Sequence, residues 1–93
     1  MTDTSKHADN LVALRNTVRD SRDAAVIIRH DAFTVAEATG ALHPEKGSGE
    51  LVWEVTNAET KIRFNRRNVS DVYPATVRTR GELVTASCIV VQL

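Results

Sequence analysis

The sequence predicts a mainly β protein with one N-terminal α-helix, folded as a small, strongly bent five-stranded antiparallel barrel. Three observations carry that expectation. Helical periodicity is confined to the first quarter of the chain. From Ala24 onward the composition turns to short β-branched runs bounded by turn residues. Gly40 interrupts a strand pattern, as a curling strand needs at a bulge or sharp bend.

Residues 1–6, MTDTSK, read as a polar tail, and residues 7–93 as a single domain. From about His7 to Arg22, Ala8, Leu11, Leu14 and Val18 recur at spacings of three and four, which sets them on one helix face. Arg15, Arg19 and Arg22 form a stripe beside that face. Their stems can cover an apolar seam, or their charges can meet an acidic partner. AAVIIRH then reads as a buried strand, and His30–Asp31 as a turn into DAFTVAEATGALH, where Phe33 and Val35 alternate with Thr34 and Ala36. PEKGSGE, Pro44 to Glu50, is a loop.

The pair LVWEVT and KIRF is the most legible part of the chain. With a four-residue turn at Asn57 to Thr60, Trp53 falls opposite Phe64 and Val55 opposite Ile62 on one face. The same register puts Glu54 opposite Arg63 on the other. NRRNVSDVYP reads as a turn anchored by Val69 and Val72, and ATVRTRGE as a short edge or loop. LVTASCIVVQL is a strand apolar on both faces, which the helix or another subunit must cover.

This order of helix and five strands resembles the Sm-like family of small β-barrels. TGAL, Thr39 to Leu42, looks like that family's Gly-x-Leu on a bent strand, and RNVSDVYP looks like the link between its last two strands. The resemblance implies a small, strongly bent barrel and an RNA- or DNA-binding role. At the place of the family's Asp/Asn pair, however, this chain has HPEKGSG, and the Arg-Gly of the second motif is absent.

Composition narrows the function classes. Among 93 residues, 12 basic and 12 acidic side chains cancel, a balance unlike that of a dedicated nucleic-acid binder. The charge is segregated, however. Asp31, Glu37, Glu45, Glu50, Glu54 and Glu59 against Lys46 give residues 31–60 a net −5. Lys61, Arg63, Arg66, Arg67, Arg78 and Arg80 against Asp71 give residues 61–80 a net +5. Two readings stand: the two segments neutralise one another, or Arg63, Arg66, Arg67, Arg78 and Arg80 form a patch for phosphates or a protein partner. A third possibility is head-to-tail association of acidic and basic segments between copies.

Cys88 is the one cysteine, so no disulfide closes within the chain. His7, His30 and His43 lack ligand spacing, and Ser48 between Gly47 and Gly49 matches neither a nucleophile elbow nor a phosphate loop. No apolar run is long enough to span a bilayer, and MTDTSKHADN is polar, so the expectation is a cytoplasmic protein without membrane contact. The expected function is that of a non-enzymatic binding or regulatory module acting through protein–protein contacts and homo-oligomerisation, with no cofactor, metal or catalytic residue. The alternative is a weak Sm-like nucleic-acid binder.

Overall fold

The computed structural model describes residues 4–79 and 81–93. Helix α1 (Thr4–Arg19) precedes β1 (Asp23–His30), β2 (Phe33–Pro44), β3 (Val52–Thr56), β4 (Lys61–Asn65), a 3-10 turn at Arg66–Asn68, β5 (Val69–Thr79) and β6 (Glu82–Gln92). The six strands form one mixed sheet in the order β4-β3-β2-β1-β6-β5. The mainly β class with an N-terminal helix holds, but the sheet is neither five-stranded nor wholly antiparallel, and it does not close into a barrel.

The difference has a physical origin in VSDVYPATVRT. Its Asp, Ser and Pro residues suggested turn and loop, yet it forms an 11-residue edge strand, a position where a sheet tolerates proline. The β5–β6 hairpin pairs continuously from Tyr73↔Cys88 to Thr79↔Glu82, with Gly81 at φ 82° in its turn. That hairpin inserts β6 between β1 and β5, parallel to β1 from Ala24↔Ser87 to Arg29↔Gln92. The apolar run of β6 therefore gains strand neighbours on both sides. Its Ile89 and Val91 enter the core, and Cys88 pairs with Tyr73 on the opposite face.

The core lies between the sheet and α1, around Leu14, Val26, Ile28, Leu42, Trp53, Val55, Phe64, Val69, Ile89 and Val91. The register predicted for β3 and β4 is the one observed, Trp53↔Phe64, Glu54↔Arg63 and Val55↔Ile62. Asn57 makes the turn: its Oδ1 accepts from the backbone N–H groups of Glu59 and Thr60, both at 2.8 Å.

The helix departs from its simple apolar stripe. Leu14 is fully buried and Leu11 partly so, whereas Ala8 and Val18 stay exposed. Asn10 and Thr17 are buried instead, because the sheet supplies polar partners. Asn10 Nδ2 donates to Val69 O at 3.2 Å, and the Thr17 and Ser87 hydroxyls lie 2.6 Å apart. Such satisfied polar pairs escape most of the cost of burial.

Gly40 serves a close approach rather than a bulge. A Cβ there would collide with the carbonyl of Thr56 and press on Asn57 Cβ at 3.2 Å. The irregularity in the β1–β2 pairing falls elsewhere, where Val35 is the extra residue between Thr34 and Ala36.

Candidate binding surfaces

Among the described residues, the arginines singled out by the sequence are divided between β4, the 3-10 turn and the end of β5. Arg63 Nη2 donates to Glu45 Oε1 at 2.6 Å, so its charge is engaged within the chain. Arg66 and Arg67 lie in the 3-10 turn, where Asn65 Oδ1 accepts from Arg67 N at 2.8 Å. Arg66 is half-buried near Glu50, whose carboxylate feels its charge, and Arg67 is exposed. Arg78 sits at the far end of β5, donating to Gly81 O at 3.3 Å across the hairpin turn. Ten residues of strand at ~3.3 Å each separate it by about 30 Å from the 3-10 turn. Arg80 lies outside the described residues.

Three acid–base contacts absorb much of the charge segregation. Besides Arg63–Glu45, Lys61 Nζ stands 2.8 Å from Glu54 Oε2, and Arg15 grips Glu50 with Nε and Nη2 at 2.8 and 2.6 Å. Glu54 is only 6% exposed on β3, flanked by His43 Nε2 at 3.7 Å. The Lys61 contact holds this carboxyl below its usual range, aided by the charges of Lys61, His43 and Arg63, while desolvation pushes the other way. Lys61 approaches off the hydrogen-bond direction, so the contact is an ion pair more than an aligned hydrogen bond. Arg63 faces Glu54 in the register but bonds to Glu45, because a long guanidinium reaches the loop beyond.

The loop leading into β3 is tied down by the same chemistry. Glu50 adopts φ 64°, a conformation costly for a residue with a side chain. Its carbonyl accepts from Trp53 Nε1 at 2.7 Å and its carboxylate is clamped by Arg15, which also keeps its pKa low. Sequence reading missed this clamp, since Arg15 and Glu50 are 35 residues apart.

A cleft and a strand edge stand out among the open features of the described residues. A cleft of about 600 Å³ lies at one end of the sheet, lined by Asp23, Thr39, Gly40, the Asn57–Glu59 turn and Arg78. Contiguous with it is the edge of β2. Strand β3 pairs with β2 only from Ala41 to Pro44, so Phe33–Gly40 has β1 on one side and no strand on the other. Phe33 is 73% and Val35 56% exposed along this edge. At its end nearest the cleft, Asn57 Nδ2 donates to Thr39 O at 2.9 Å. The sequence showed Phe33 and Val35 as strand residues but not that β3 would leave them uncovered.

Among the described residues no group of three His, Cys, Asp or Glu is placed to hold a metal ion, and no helix is long and apolar enough to cross a membrane. Comparison with family models, curated proteins and solved structures finds no match to this chain.

Proposed function

We propose that the chain is a non-enzymatic binding module that works through protein–protein contacts and self-association. The observation supporting this reading is the open edge of β2. It offers unpaired backbone N–H and C=O groups beside exposed Phe33 and Val35, the chemistry that accepts an added strand. The titratable cluster at Glu54 gives less support to catalysis. Its carboxylate is shielded by its own cations and faces no cleft among those described.

Light scattering of the full chain at increasing concentration, at low and high salt, tests the proposal. The expected result is a defined oligomer that persists at high salt, because the Glu45–Arg63 and Glu54–Lys61 contacts leave few opposite charges for assembly. A monomer that retains single-stranded RNA at low salt, and loses it in the R66A/R67A variant, would replace this reading with nucleic-acid binding of the Sm-like kind.

A further inference from the structure

We propose that the cleft at the end of the sheet binds a small zwitterion, an organic ammonium that carries a carboxylate at its other end. Such a ligand needs no second chain, so the site stands apart from any self-association.

Opposite charges elsewhere in the molecule collapse onto one another. Arg15 meets Glu50 and Arg63 meets Glu45 at 2.6 Å, and Arg22 meets Asp20 and Lys61 meets Glu54 at 2.8 Å. The walls of the cleft behave differently. They carry the carboxylates of Asp23 and Glu59 and the guanidinium of Arg78. No ion pair joins any of these three to another described residue. Their separation is built into the fold. Asp23 opens β1, Glu59 sits in the turn between β3 and β4, and Arg78 lies near the end of β5. Three separate elements thus hold the two signs around a space of about 600 Å³, within the range of small-molecule sites.

The floor between them is fixed. Asn57 Oδ1 accepts from the N–H groups of Glu59 and Thr60, and its Nδ2 donates to Thr39 O at 2.9 Å. Gly40 admits the β3 backbone so closely that a Cβ there would strike Thr56 O. The turn that carries Glu59 is therefore tied both to itself and to β2, and a ligand has little order to impose on entering. Arg78 donates one N–H to Gly81 O at 3.3 Å, which leaves the rest of its guanidinium for a carboxylate. Ionised Asp23 and Glu59 only accept hydrogen bonds, which suits them to an ammonium. A ligand of one sign would satisfy one wall and meet a like charge on the other. A zwitterion answers both.

Amide spectra of the isotope-labelled full chain, titrated with glycine, γ-aminobutyrate and ε-aminocaproate, test the site. The three probes differ in the separation of their charges, and butylamine and butyrate serve as singly charged controls. At least one zwitterion is expected to shift Gly40, Ala58 and Glu59 saturably, with both controls at least tenfold weaker. D23N/E59Q and R78Q should each weaken that binding at least tenfold and leave the rest of the spectrum in place, because each removes charge-assisted contacts. No saturable shift with any of the three up to about 50 mM, well past the ~1 mM expected of two such contacts, would overturn the proposal. Butylamine or butyrate binding as tightly as the zwitterion would overturn the two-signed site. Binding that survives both variants would overturn its assignment to this cleft.

Discussion

The edges of β5 and of the first part of β2 are the two long unpaired borders of this sheet, and they are built differently. Strand β5 runs 11 residues with Pro74 near its centre and a shifted register near its start. The open part of β2 runs from Phe33 to Gly40 with a single carboxylate and one extra residue, Val35. Both borders are rich in β-prone residues, so propensity does not distinguish them. Obstruction does. Each border carries a register irregularity, but only β5 also carries a proline, which removes a backbone N–H near its centre.

The sharpest way to break this contrast is at Gly40, where β2 passes from open edge to paired strand. A valine there must displace the Thr56 carbonyl, so G40V is expected to cost about 3 kcal/mol or more. Urea denaturation would read this directly, and unchanged stability would mean that β3 need not approach so closely. The next effect exchanges the characters of the two edges. Replacing Pro74 with threonine restores an N–H to β5 and should raise the concentration-dependent solution mass above that of wild type. Light scattering before and after the substitution decides it.

A smaller effect sharpens the contrast from the anchored side. W53F removes the donor to Glu50 O and leaves the backbone of Glu50 at positive φ without that restraint. About 1–2 kcal/mol should be lost, measured by chemical denaturation, with the mass in solution unchanged. The smallest effect is in the acid limb of stability. Glu54 has a depressed pKa in the folded state, so its contribution is present above the ordinary carboxylate value near 4.3 and is lost as pH falls through the folded value. E54Q should therefore flatten the decline in melting temperature between roughly pH 5 and pH 3 relative to wild type. An identical slope would show that the Lys61 contact does not perturb Glu54.

How much of this was legible in the sequence depended on how locally each feature was determined. The β3–β4 hairpin was readable residue by residue, because Asn57 fixes the turn and alternation fixes the register. Strand β5 was not, since Ser70, Asp71 and Pro74 look like turn residues until a long antiparallel partner supplies the hydrogen bonds. The helix face was half readable. Leu11 and Leu14 mark it, but the burial of Asn10 and Thr17 depends on Val69 O and Ser87, acceptors that no local pattern announces. The arginines were visible as a run, while their dispersal needed the length of β5. The open edge of β2 was invisible for a related reason, because it is created by the point at which β3 stops pairing.

The parallel seam between β1 and β6 has a consequence for the order of assembly. Strand β1 meets β2 across a two-residue turn, but its other flank waits for β6, and the Thr17–Ser87 hydroxyl pair joins residues 70 apart. Closing so long a loop is entropically expensive and is compensated only when the β5–β6 hairpin docks as a unit. Until then, the flank of β1 and the free margin of β2 are bare together, two adhesive borders on one unfinished sheet.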